Sequence, residues 1–97
     1  MKFEVRFVPS AADDLHHFEA HERRIIADGI QEFLEVDADR ENKRRKLLRP
    51  NPLAPWELRV GDYRVFYEIT AGGAVRVLAI GRKLHNELFI RGRRAEI

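Results

Sequence analysis

Arg59 and Arg64 are the residues of this 97-residue chain whose spacing first suggests chemistry. They flank Val60-Gly61-Asp62-Tyr63, and Gly61-Asp62 reads as a two-residue hairpin turn with glycine at its first position. Such a turn pairs Val60 with Tyr63 and sets Arg59 directly across from Arg64. Like charges in that position destabilise a sheet. A chain that keeps them either offers the pair to an anion or balances it with Glu57 and Glu68, which strand alternation puts on the same face. Arg76 joins that face, and Arg82 and Lys83 leave the last strand just beyond it. Phe66 stands among them as a ring on which a nucleobase can rest. Two readings follow: a phosphate-binding surface, or a solvated face of Arg–Glu pairs. His85 comes next in the chain, close in sequence to the charges of Arg82 and Lys83. Its unperturbed pKa of about 6.5 suits proton transfer at neutral pH.

Other clusters say less. Lys43-Arg44-Arg45-Lys46 is either a solvated loop or a nucleic-acid contact. Asp13, His17 and His21 recur at i, i+4 and i+8, a spacing able to hold a metal, but the His-Glu-x-x-His arrangement is missing and no metal or other cofactor is expected. With no cysteine, disulfide scaffolds, thiolate zinc sites and Cys nucleophiles are excluded.

The elements that must position these groups are short. Residues 3–8 alternate as a strand with Phe3, Val5 and Phe7 inward. Ser10, with Asp13 three residues on, resembles a capping box, so a helix is expected from near Ala11 with Ala12, Leu15 and Phe18 on its apolar face. A second helix over about residues 21–36 carries the stripe Ile25, Ile26, Gly29, Ile30, Phe33 and Leu34. Gly29 weakens it unless it permits a close helix contact. Residues 37–55 form a connector whose Pro50, Pro52 and Pro55 forbid a regular ladder, with Leu47, Leu48 and Leu53 anchoring it. Strands are expected over 56–60, 63–69 and 74–80, with Gly72 and Gly73 in the second connection. Trp56, Leu58, Val60, Tyr63, Val65, Tyr67, Ile69, Val75, Val77 and Ala79 then face the helices. Leu78 and Ile80 fall on the opposite face with the arginines. A short turn or helix over 84–89 precedes the basic tail at 91–94. The fold class is α+β: a small antiparallel sheet with an N-terminal helical hairpin on one face, in the order β-α-α-β-β-β.

Composition agrees and adds a polarity. The 18 basic and 16 acidic side chains give a formal charge of only +2, yet the pI is about 9.3. Residues 1–39 carry 4 basic and 10 acidic groups, a local −6, whereas residues 40–97 carry 14 and 6, a local +8. The base is 14 Arg to 4 Lys, and the planar guanidinium fork suits phosphate and carboxylate. The length predicts one domain, residues 1–97, with a modest core. No apolar run approaches the roughly 18 residues of a membrane span, so no membrane association and a cytoplasmic location are expected.

The stretch Trp56-Glu-Leu-Arg-Val-Gly-Asp-Tyr-Arg-Val-Phe-Tyr-Glu-Ile69, continued by Val75-Arg-Val-Leu-Ala-Ile-Gly81 and a basic residue, resembles the RelE/ParE toxin superfamily. The length and element order agree over nearly the whole chain. The resemblance implies the toxin of a bacterial type II toxin–antitoxin pair. RelE-type members cut mRNA in the ribosomal A site, without metal, by attack of a ribose 2′-OH on the adjacent phosphate. It implies catalytic roles for Arg64, Arg82 and His85 and RNA or phosphate binding by Arg59, Lys83 and Phe89, to which strand alternation adds Phe66 and Arg76. Arg64 matches a family arginine at the scissile phosphate. His85-Asn-Glu-Leu-Phe89 is similar to a His-x-x-x-Phe arrangement that some members use, which makes His85 the expected acid/base. Glu57 stands where RelE-type members carry a catalytic lysine, and Phe89 where they carry a tyrosine; Glu57 is then either a base or the partner of a neighbouring arginine. The implied partners are mRNA on the ribosome and a cognate antitoxin whose acidic segment covers Arg59, Arg64 and Arg82 in a hetero-oligomer. The alternatives are a ParE-like, non-catalytic inhibitor of DNA gyrase and an inactive homologue that only binds antitoxin.

Overall fold

In the computed structural model, which describes residues 2–97, the Gly61-Asp62 turn forms as its residues demand. Gly61 sits at φ +57, Val60 pairs with Tyr63, and Arg59 faces Arg64. The turn joins β3 (Trp56–Val60) to β4 (Tyr63–Ile69), and β4 pairs antiparallel with β5 (Ala74–Leu84). Gly73, at φ +83, closes the second connection, where Thr70 Oγ1 accepts the Ala74 amide at 3.1 Å. β1 (Glu4–Phe7) pairs parallel with residues 74–77 of β5, along the edge that β4 leaves free. Phe3 and Val5 pack against the core as expected, but Phe7 is exposed.

Helices α1 (Pro9–His16) and α2 (Ala20–Leu34) cover one face of this sheet. α1 begins at Pro9, not near Ala11; a proline there has the right φ and needs no amide partner. The capping box lies instead at α2, where the Glu19 amide donates to Glu22 Oε1 at 3.1 Å. α2 ends two residues before the expected Val36. Arg45 stops it by donating from Nη1 to the Phe33 carbonyl at 3.2 Å and from Nε to the Arg40 carbonyl at 2.8 Å. Gly29 permits a close approach, though to a strand: a Cβ there would lie 2.7 Å from Val60 Cγ2. Ile26, Ile30 and Leu34 fill the core with Leu58, Val65, Tyr67, Val75 and Val77, while Ile25 stays exposed.

The sheet is larger than the six-element reading. β2 (Arg45–Leu47) pairs with β3 before the prolines begin, and β6 (Glu87–Ile90) and β7 (Arg93–Ala95) replace the expected terminal turn or helix and tail. The spatial order is β2-β3-β4-β5-β6-β7, with β1 off that path. His85-Asn86 and Arg91-Gly92 make the two new turns, all four residues having positive φ. Paired positive φ values define the turn whose twist suits a two-residue hairpin.

One irregularity reassigns the faces. Tyr67 pairs with Val77 and Phe66 with Ala79, so Leu78 is an extra residue, a β-bulge in β5. Beyond it alternation inverts. Ile80 packs in the helix-side core, and Ala79 joins Phe66 on the opposite face, the reverse of the simple period-2 expectation. There Phe66, Ala79, Ala54 and Leu88 form a second apolar cluster beneath the proline-rich connector and the β6–β7 hairpin.

Candidate anion-binding site

The open face of the sheet carries two cross-strand arginine pairs, and they differ in how they are neutralised. At one end Arg6 faces Arg76, and each has its own carboxylate: Glu4 at 2.8 Å and Glu68 at 2.6 Å. At the other end Arg59 faces Arg64 with one carboxylate between them. Glu57 Oε1 accepts from Arg59 Nε at 2.9 Å, and Glu57 is 3% exposed. Arg64 has no carboxylate partner. Its Nη1 donates to the Gly61 carbonyl at 2.8 Å and the Tyr63 carbonyl at 3.0 Å, and its Nε is buried without a hydrogen-bond acceptor. Burial pulls the Arg64 pKa below its ordinary value; the Glu57 carboxylate opposes that shift and Arg59 adds to it. Asp62 of the turn also opposes the shift, and Arg64 remains a cation at neutral pH without an ion pair of its own among the described residues.

The bulge decides which of the next two cations joins it. Arg64 lies across from Gly81, so Arg82, opposite Tyr63, points to the helices and Lys83, opposite Leu88, shares the open face. Arg82 forms an ion pair with Glu22 of α2 and stacks its guanidinium over Tyr63 at 5.1 Å and Phe18 at 5.6 Å. Tyr63 Oη donates to the same carboxylate at 2.9 Å. Arg82 is therefore not beside Arg59 and Arg64. Phe89, across from Arg82, also lies on the helix side, in a cavity of about 520 Å³ with Phe18, Glu22, Leu84 and Arg82. Phe66 is fully buried and cannot receive a base. Its burial follows from the second apolar cluster, which strand alternation alone does not reveal.

His85 occupies the first corner of the β5–β6 turn, exposed, beyond Lys83 and at the same end of the sheet as Arg64. The structure thus brings together Arg59, Arg64 and Lys83, with His85 at their end, and separates Arg76, Arg82, Phe66 and Phe89 from them. The spacing of Asp13, His17 and His21 does not run along one helix, because α1 stops at His16 and His21 belongs to α2.

Two supporting residues escape sequence reasoning. Asp14 is buried, accepts the Ile80 amide beside the bulge at 3.1 Å, and accepts from Arg91 Nε at 2.6 Å. Its position three residues after Ala11 and four before Phe18 put it on the apolar stripe of α1, which was the available signal. Glu22 is the other: one oxygen caps α2 and the other binds Tyr63, so Arg82 has a fixed counter-ion.

Among the described residues no helix is long and apolar enough to cross a membrane. Residues 5–86 match the family model described as ParE toxin of type II toxin–antitoxin system, parDE. With the α+β architecture this places the protein among the RelE/ParE-like toxins. The chain belongs to the ParE toxin family of type II toxin–antitoxin systems. In fold it is similar to the crystal structure of the toxin–antitoxin complex RelBE2 from Mycobacterium tuberculosis, with 23% identity, a TM-score of 0.73, and coverage of 86% of this chain and 100% of that one. The archaeal RelE–RelB complex from Pyrococcus horikoshii OT3 is also similar, at 18% identity and a TM-score of 0.67 over 88% and 99% of the two chains. No curated protein matches the chain.

Proposed function

We propose that this toxin is a metal-independent, ribosome-dependent endoribonuclease that cleaves mRNA and inhibits translation in the cytoplasm. The observation that carries the reading is the cross-strand Arg59–Arg64 pair, in which only Arg59 has an ion-pair partner, extended by Lys83 at the His85 end of the sheet. In this reaction the ribose 2′-oxygen attacks the adjacent phosphorus, the P–O5′ bond breaks, and a 2′,3′-cyclic phosphate and a 5′-hydroxyl result. His85 accepts the 2′-hydroxyl proton. Arg64 exchanges its two carbonyl acceptors for the phosphoryl oxygens, where negative charge builds in the transition state, and Arg59 adds a second cation. Glu57 is too buried to reach the ribose; it holds Arg59 in place. The leaving 5′-oxygen takes its proton from solvent water, with Arg59 and Arg64 offsetting the charge that builds on it. The ribosome enters this reading through the resemblance to RelE-type toxins.

The test is primer extension on cellular messages after induction of the toxin. Cuts inside translated frames are expected for wild type and lost in Arg64→Ala and in His85→Asn. Asparagine is the better probe at position 85 because it tolerates the positive φ there. Full toxicity with intact messages in both variants would end the ribonuclease reading. A second reading, a non-catalytic gyrase inhibitor, draws support from the ParE description of the family model and from Phe89, which has no hydroxyl to exchange a proton. Inhibition of purified gyrase in a supercoiling assay distinguishes it. On either reading we infer a cognate antitoxin partner, as in the toxin–antitoxin complexes of similar fold. Its acidic segment would cover Arg59, Arg64 and Lys83 rather than Arg82.

A further inference from the structure

We propose that the groove between α2 and the connector is a self-complementary surface through which two copies of this chain form a weak, two-fold symmetric dimer. The contact is independent of the ribonuclease reading and uses none of the open-face cations Arg59, Arg64 and Lys83.

The groove has a volume of about 680 Å³ and runs along α2, with the end of β3 and the connector as its other wall. Its apolar floor follows from helical spacing. Ile25, Gly29 and Phe33 stand at i, i+4 and i+8, which makes one row along α2, with Val60 beside it. The sheet takes up the middle of that row but not its ends. Val60 fills the space where a Gly29 side chain would be, whereas Ile25 remains 45% exposed and Phe33 is half-buried. Asp28 and Glu32, also four residues apart, form the next row and one bank of the groove. Arg44 forms the other bank. Its guanidinium lies 4.7 Å from the centre of the Phe33 ring, and exposed Lys43 precedes it in the chain.

Charge points to the occupant. Among the described residues Asp28, Glu32, Lys43 and Arg44 form no ion pair. Acid and base therefore stand on opposite banks of an apolar floor, neither engaged. A nucleic acid or an acidic segment placed here meets Asp28 and Glu32, and a basic segment meets Lys43 and Arg44, so one bank repels each. A surface with acid along one side and base along the other is matched by its own copy turned through 180°. A two-fold axis lying along the floor achieves this with the two α2 helices running parallel. Ile25 then meets the same residue of the second copy, Phe33 does likewise, and Glu32 of each chain faces Arg44 of the other. One helix face and one loop supply each side, less than the roughly 20–30 residues of a standard interface, so a Kd on the order of 10–100 µM is expected.

Sedimentation velocity of the whole chain reads the equilibrium, and wild type should pass from monomer to dimer between about 5 and about 500 µM. Glu32→Arg and Arg44→Glu each set like charges across the seam and should weaken the dimer by about tenfold or more. Ile25→Ser should weaken it as well, through the floor. Arg93→Glu, an equal change of charge on exposed β7, should leave it unaltered. The decisive arm is a mixture: Glu32→Arg and Arg44→Glu together restore both ion pairs, so dimers should return in the equimolar mixture and in neither variant alone. Wild type that stays monomeric throughout would overturn the proposal and leave the groove to a different partner. Single variants that dimerise as wild type does, or a mixture that stays monomeric while wild type dimerises, would place the contact elsewhere and overturn it too. Far-UV circular dichroism on each variant separates loss of the contact from loss of the fold, and the mixture is read only from folded chains.

Discussion

Asp14 shows how much a single buried carboxylate does here. It joins α1 to the bulge through the Ile80 amide and to the C-terminal hairpin through Arg91, whose Nη2 also reaches the Ser10 carbonyl at 2.8 Å. Asp14→Ala leaves a buried amide without an acceptor and a half-buried guanidinium without its partner. The expected loss is roughly 1.5–3 kcal/mol of unfolding free energy in urea titration. Tyr67 supplies a pH signature. Its hydroxyl donates to the Ala38 carbonyl at 2.8 Å, its ring stacks on Trp56, and burial pushes its pKa up from the ordinary value. The phenol therefore stays protonated in the folded state after it ionises in the unfolded one. Above about pH 10 the unfolded state binds fewer protons, and stability falls as pH rises, by up to about 1.4 kcal/mol per pH unit. Tyr67→Phe should cost stability at neutral pH yet lose less than wild type between pH 10 and 11. Parallel curves for the two proteins would refute the assignment.

Among the elements, those set by periodicity were legible and those set by turns were not. The β3–β4 hairpin could be read because Gly61-Asp62 is a recognisable turn pair, and both helices because their apolar stripes are long enough. β6 is hidden because its turn, His85-Asn86, lacks glycine, and β7 because Gly92 stands among arginines that read as a basic tail. β2 was missed because the prolines that follow it dominate the connector's composition. The site suffered most from the bulge: no residue around Leu78 advertises it, yet it decides that Lys83 rather than Arg82 joins the open face, while the chain that buries Phe66 comes from the connector and the terminal hairpin. Gly29 tests the helix–sheet contact at this scale. Gly29→Ala gains up to about 1 kcal/mol in helix propensity, but its Cβ would overlap the stiff Val60 side chain, and overpacking costs about 1–3 kcal/mol. A net destabilisation of about 1 kcal/mol is expected by chemical denaturation. Val60→Ala should cost less in the Gly29→Ala background than in wild type; equal costs would show that the two sites do not touch.

For the molecule as a whole, one sheet supports two apolar clusters, and only the larger lies under the helices. The smaller depends on chain that arrives last, Leu88, Ile90 and Ala95. Truncation after Leu84 should leave much of the helical signal in circular dichroism while exposing Phe66 and Ala79. Binding of a hydrophobic dye and self-association in ultracentrifugation are the expected outcomes; a monomer that ignores the dye would show the hairpin to be dispensable. The same division explains the charge asymmetry of the sequence. The acidic half builds the helices and holds Arg82 and Arg91 through Glu22 and Asp14, so those two arginines are engaged by carboxylates of the helices. On the far side of the sheet Arg59, Arg64 and Lys83 are left with one ion-paired carboxylate, Glu57, among them.

The bulge at Leu78 also bears on how such a strand tolerates error. A strand has a two-state reading frame, and one extra residue shifts everything downstream by one. A β5 that alternated strictly through Leu78, without the bulge, would turn Arg82 outward and Lys83 toward Glu22, whereas deleting Leu78 would leave both faces as they are. Because positions 82 and 83 are both basic, either frame still delivers a cation to the open face and a cation to the helix carboxylate. The doubled charge works as an error-tolerant code, and the bulge selects which copy is read.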